Sequence, residues 1–292
     1  MTAPTPSART IPSARTIPPA VTEPRVRFTD LFVAEWIKLW SLRSTCWGLA
    51  VSALIVIGIN VNAALSDYDN WPAYSQGIRD NFVPTWAIRD AFTDPAVLVL
   101  ILATASIGAI TVVGEYSSGL IRTTFAAVPA RRSVMTAKLL VVTPVMLGYG
   151  AVVAATSFGV TQAILSGRNA GLSISYPGAL RAVTASALLP VVCALVGMGL
   201  GALIRHTATT IVTATVVLLL LPTFIDADKP WKAALNHALP LNAWGRLTDI
   251  SLVNLGPPVP YPATITESWL VYAIWPLVAA ILTLIVVSRR DV

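Results

Sequence analysis

Six long apolar runs constrain this chain more than any other feature of its sequence. They fall at about 45–65, 96–113, 139–165, 182–204, 209–225 and 267–287. Each is near the roughly twenty residues that a helix needs to cross a hydrocarbon core of about 30 Å. Lipid offers no water to a free amide, so a spanning segment must be a helix or a strand of a closed barrel. Barrel strands alternate over about ten residues, whereas these runs are continuous, which selects helices. Composition agrees: 12% of the 292 residues are charged and 55% are hydrophobic, with mean hydropathy +0.71. A soluble domain carries about 25% charged residues. The expected fold class is an all-α polytopic membrane protein with six transmembrane helices.

The net charge of +6 raises the question of nucleic acid. The cations are scattered at the ends of apolar runs instead of gathered on one soluble face, so no nucleic-acid partner is expected. The same scatter orients the chain. With both termini cytoplasmic, the inner segments hold 13 cations and 5 acids and the outer segments 7 and 9. That asymmetry follows the positive-inside rule, and an even number of spans puts both termini on one side. The two cysteines, Cys46 and Cys193, lie at different depths and imply no disulfide framework.

Residues 1–27 form a Pro/Ser/Thr/Arg-rich segment with SARTIP in tandem at 7–12 and 13–18. It has too few apolar residues to pack and is expected to be a disordered cytoplasmic tail. It has no apolar core of the signal-peptide kind. Residues 28–292 are expected to form the membrane domain. Phe28, Leu31, Phe32, Trp36, Leu39 and Trp40 follow helical spacing over 29–42, with Asp30, Lys38 and Ser41 off the stripe. This predicts an amphipathic helix suited to the membrane interface, with Thr29 as its cap. A plain extension of the first span is the simpler reading.

The connectors differ in kind. Residues 67–95 read as a polar outer loop and 166–178 as an outer turn, with Arg181 free to snorkel to lipid headgroups. Arg205 and His206 make a very short inner turn. Residues 226–266 hold two short helical patterns broken by Pro240, neither long enough to span. They form either an extracellular loop or a re-entrant pair buried against protein. Gly197 and Gly201 form a GxxxG in the fourth run, suited to close helix packing, within the chain or at a subunit interface.

The usual constellations of chemistry are missing from the sequence. There is no GxxxxGK[ST], HExxH or GxSxG, and the two histidines fall on opposite membrane sides. The spans carry no acid at mid-depth, which argues against a proton- or ion-coupled transporter working alone. That class, and a non-transporting membrane scaffold, remain the rival readings. The chain is expected not to be an enzyme, and no metal or cofactor is assigned to it.

One stretch stands out between the second and third runs: GEYSSGLIRTTFAAVPARRSVMTAK, residues 114–138. Gly114 is expected to end the second span. Tyr116, Leu120, Thr123 and Thr124 would line one side of a short helix, with Pro129 closing it. Positive-inside charge explains the cations of this stretch but not its length.

The pattern GEY–SG–IRTT–PARR–AK here, with AEWIKLWSLRST before the first span, resembles the permease subunits of type-2 ATP-binding-cassette exporters, the ABC-2 family. The resemblance covers roughly residues 30–292. It implies six spans per subunit, an N-terminal interface helix bearing Glu35, Trp36, Lys38 and Trp40, and re-entrant helices before the last span. It also implies that 114–138 is a coupling loop that docks on a separate soluble ATPase subunit. Glu115, Tyr116, Gly119, Arg122 and Thr123 would carry the coupling, with Arg131 and Arg132 nearby. ATP and magnesium would sit on that partner. Two permease copies, identical or different, would complete an exporter of drug, peptide or lipid-like cargo in the cell membrane. Glu115 and Arg122 would pair with charges on the ATPase.

Overall fold

The computed structural model describes residues 27–128, 130–225, 228–250 and 260–289. It therefore leaves nearly all of the 1–27 tail outside the described residues. Among the described residues there is no strand. Six helices are long and apolar enough to cross a membrane.

Helix α1 (Phe28–Ser41) leads into α2 (Arg43–Asn70), the first candidate span. The α1 terminus is not capped by Thr29, which lies inside the helix. The Asp30 carboxylate instead accepts from the Arg27 amide at 2.9 Å. Helix α2 outruns its apolar run by five residues, and a short 3₁₀ turn at Trp71–Ala73 ends it.

The polar outer loop expected at 67–95 is largely helical. Helix α3 (Gln76–Ala91) folds back under Trp71 and Tyr74, whose rings lie 5.0 and 6.3 Å from that of Phe82. Phe82, Ala87, Ile88 and Ala91 are buried. Arg79, Asp80, Arg89 and the buried Asp90 dilute the average hydropathy and hide this pattern.

Helix α4 (Asp94–Ser117) starts at an N-cap where Thr93 Oγ1 accepts from the Ala96 amide. It runs through Gly114, so Gly114 does not end the second span. The break comes at Gly119, whose φ of +71° is one an L side chain rarely adopts. Helix α5 (Leu120–Ala127) follows, and α6 (Arg131–Ser166) begins eight residues before the third apolar run. The expected 25-residue connector is thus mostly helix.

Helix α7 (Ala179–Ile204) is the centre of the bundle and packs on α4 and α6. A turn with Arg205 in the left-handed region leads to α8 (Thr207–Thr215), a π turn at Val216–Leu220 and α9 (Leu221–Phe224), which together make the fifth candidate span.

Residues 228–250 form two short helices, α10 (Pro230–His237) and α11 (Pro240–Thr248), before α12 (Ile265–Arg289). Proline suits the first turn of a helix, where its missing N–H costs nothing, and both short helices start with one. Helix α11 packs on α7 and α12, with Trp244 Nε1 donating to Ser186 Oγ at 3.1 Å. Arg181 does not reach outward. Its guanidinium donates to the carbonyls of Leu247 and Asp249 at 2.9 and 2.6 Å, satisfying the end of α11.

Helices α4 and α7 meet with almost no space between their backbones. A Cβ on Gly108 would lie 2.0 Å from the Ala194 carbonyl oxygen, and one on Gly197 2.1 Å from that of Ala105. Gly201 is less tight, at 3.0 Å from Val113 Cγ2. The Gly197–Gly201 pair therefore packs inside the chain, through small residues that let two helices approach closely.

Candidate functional site

Helices α1, α4 and α6 gather an ion-pair cluster from three separate elements. Glu35 and Lys38 stand one turn apart on α1, Glu115 sits near the end of α4, and Lys138 lies two turns into α6. Lys138 Nζ donates to Glu35 Oε2 at 2.5 Å and to Glu115 Oε1 at 2.9 Å. Lys38 Nζ donates to Glu35 Oε1 at 2.7 Å and to Glu115 Oε1 at 3.1 Å. Two acids and two bases leave the cluster neutral. The side chains of Glu35, Lys138 and Glu115 are only 4, 6 and 9% exposed, and that of Lys38 is 32% exposed. Buried charges are tolerated only when paired and hydrogen-bonded, which each of these is.

Electrostatics outside the spans follows the pairing. Burial by itself would push the Glu35 carboxyl up, but Lys138 and Lys38 together hold it below its ordinary value. Burial likewise works to lower the Lys38 ammonium, and Glu35 and Glu115 outweigh it and raise it. A lowered carboxylate contributes stability that is complete above its ordinary value and is lost as pH falls through the folded one. A raised ammonium contributes below its ordinary value and loses that contribution as pH rises through the folded one. Thermal melts of the detergent-solubilised chain are expected to show a plateau from roughly pH 5 to roughly pH 10, falling away on both sides. Replacing Glu35 by Gln should flatten the acid limb, and an unchanged limb would show that Glu35 does not carry it.

The residues that the sequence assigned to coupling are not brought together as one surface. One oxygen of the Glu115 carboxylate, Oε1, is committed within the chain to Lys38 and Lys138. Tyr116 lies on α4, not on the short helix, and its ring sits 4.7 Å below the Arg205 guanidinium. That contact pins the left-handed turn between α7 and α8 to the end of α4. Gly119 is the hinge between α4 and α5. Thr123 is exposed on α5, its hydroxyl donating back to the Leu120 carbonyl at 2.8 Å. The side chain of Arg122 lies outside the described residues. Arg131 is half-buried, with its guanidinium 5.4 Å from the Phe125 ring centre, while Arg132 is exposed. Ile121 and Phe125 turn the other side of α5 inward.

On α1 the division differs from the aromatic stripe. Glu35 and Leu39 face the bundle, chiefly α6, while Trp36 and Trp40 are exposed, their rings 5.9 Å apart. Sequence reasoning missed that Glu35 and Lys138 are partners. Their separation of 103 residues leaves no local signal. The only hint was that a carboxylate and an ammonium each sat at the edge of an apolar run.

Beside the cluster a cavity of about 310 Å³ opens between α1, α4 and α6. Leu39, Leu42, Ile110, Val141 and Val142 give it apolar walls, and Lys38, Glu115 and Lys138 close its polar end. Among the described residues no group of three His, Cys, Asp or Glu side chains could hold a metal ion. No protein-family model matches this chain, and no curated protein matches it.

Proposed function

We propose that this chain is the membrane-spanning permease subunit of an ATP-binding-cassette exporter of the ABC-2 class, working as a pair of permeases with a separate soluble ATPase. The observation that carries the reading is α5. It is a short helix between the second and third candidate spans, set off from α4 by left-handed Gly119 and seated on Ile121 and Phe125. Leu120, Thr123, Ala126 and Ala127 are left exposed on it. A helix anchored on one side and open on the other is what a soluble partner can push. It lies in the stretch whose GEY–SG–IRTT–PARR pattern resembles that family. Arg132, exposed at the start of α6, extends the same face.

The reading places α5 and both termini in the cytoplasm of a cell-membrane protein and α1 at the inner interface, with Trp36 and Trp40 in the headgroup zone. Helices α10 and α11 dip into the outer leaflet against α7 and α12. ATP, bound with magnesium on the partner, closes the ATPase pair and displaces α5. Because α5 is joined to α4 and α6, the displacement rocks the spans as rigid bodies between two states. The cargo, a drug, peptide or lipid-like molecule, passes between the two permeases.

The test is co-purification in mild detergent with the cognate P-loop ATPase. Thr123→Glu and Arg132→Glu are each expected to weaken that association about tenfold, the scale of one lost interface contact of about 1.4 kcal/mol. Membrane insertion should be unchanged. Unaltered ATPase capture by the double variant would remove α5 as the coupling element. Flux driven by a proton gradient with no ATPase present would remove the class.

A further inference from the structure

The ion-pair cluster and the cavity next to it have a use beyond holding helices together. The walls of the cavity are aliphatic from three helices, and its polar end is the cluster. Leu42, at the junction of α1 and α2, and Ile110, on α4, are both exposed and stand at its mouth. The polar end has hydrogen-bonding capacity left unspent. Lys38 Nζ has three N–H donors, and its hydrogen bonds to Glu35 and Glu115 use two of them. Glu115 Oε2 is buried and has no hydrogen-bond partner among the described residues, while Oε1 takes both lysines. A buried carboxylate oxygen left without a donor is costly. Lys138 Nζ likewise uses two of its three, so the cluster has two donors and one acceptor still to satisfy, and no charge to balance.

We propose that this cavity binds one membrane amphiphile whose head is neutral overall and both donates and accepts hydrogen bonds: a zwitterionic amino-phospholipid. Its ammonium would donate to Glu115 and its phosphate accept from Lys38, while an acyl chain lies along Leu39, Leu42, Ile110, Val141 and Val142. A head with a net charge would add an unbalanced charge beside a neutral, buried cluster, which burial penalises. Lipid in the site would add to the ion pairs that already join α1, α4 and α6. The inference requires that the chain sits in a bilayer and is independent of whether an ATPase drives it.

Native mass spectrometry of the full chain in mild detergent tests this with three lipids of equal chain length. Phosphatidylethanolamine supplies both donor and acceptor, phosphatidylcholine is neutral but has no N–H, and phosphatidylglycerol is anionic. The wild-type chain is expected to retain one phosphatidylethanolamine about tenfold better than either of the others, the scale of one buried charge-assisted hydrogen bond. Ile110→Trp and Leu42→Trp, which fill the mouth, should abolish that retention. Leu98→Trp, equally exposed on α4 but away from the cavity, should preserve it. Leu42 lies between two helices and accepts a larger side chain even where Ile110 does not. Equal retention of phosphatidylcholine or phosphatidylglycerol, or full retention by the Leu42→Trp chain, would overturn the proposal.

Discussion

Replacing Lys138 by Met is expected to cost about 3–5 kcal/mol of folding stability, the penalty for leaving buried charge without its partner. Lys138 touches both acids, at 2.5 and 2.9 Å, and its side chain is 6% exposed. Without it Lys38 alone must balance Glu35 and Glu115, and the cluster carries a net negative charge away from water. Denaturant titration in detergent reads the loss directly. The same substitution combined with Glu35→Gln should recover much of it, because the pair then becomes one ammonium and one carboxylate. This non-additivity is what separates a charge effect from simple loss of packing by the lysine stem. A loss below about 1 kcal/mol, the range of an exposed pair, would mean that solvent reaches the cluster. The joint between α1 and the bundle would then rest on Leu39 instead.

The second large effect is expected where α4 and α7 cross. Gly197→Ala should destabilise the chain by about 1–3 kcal/mol, as overpacking does, because the obstacle is backbone and cannot rotate away. The added methyl would lie 2.1 Å from the Ala105 carbonyl oxygen, so the helices have to part. Gly108→Ala meets Ala194 from the other side at 2.0 Å and should cost a similar amount. Together the two should cost less than their sum, since one separation of the helices relieves both clashes. Gly148→Ala is the control. Nothing lies within 4 Å of its Cβ position, and alanine is the better helix former, so the change should be neutral or slightly stabilising. Equal effects at Gly197 and Gly148 would show that the close crossing does not exist in the membrane.

These two sites differ in how readable they were. The GxxxG of Gly197 and Gly201 signals close packing from sequence alone, yet not its partner. Gly108 carries half of the crossing and stands in no motif. Lys138 was visible only as one of several cations before an apolar run, which topology explains without any cluster. The pairing of Glu115 with Lys38 and Lys138 was equally hidden, since they lie 77 and 23 residues away along the chain. The helix at Gln76–Ala91 was hidden for a related reason: Phe82, Ala87, Ile88 and Ala91 turn inward, but the same sixteen residues carry Arg79, Asp80, Arg89 and Asp90, the last of them buried too. A window average sees a polar loop, and only the rings of Trp71 and Tyr74 against Phe82 reveal which side faces in.

The sequence by itself determined the helical architecture with six helices long and apolar enough to cross a membrane, because lipid leaves a continuous apolar run of about twenty residues one way to satisfy its amides. It also placed the break at Pro240, a backbone property of a single residue, whereas the break it expected at Gly114 falls at Gly119. Tertiary structure alone decided which charges are spent inside the chain and which stay available, where the 114–138 stretch is helix, and that a cavity opens beside Glu115. Those outcomes depend on distances between residues 23 to 103 positions apart, and side-chain interactions fall off over a few ångströms in space whatever the separation along the chain.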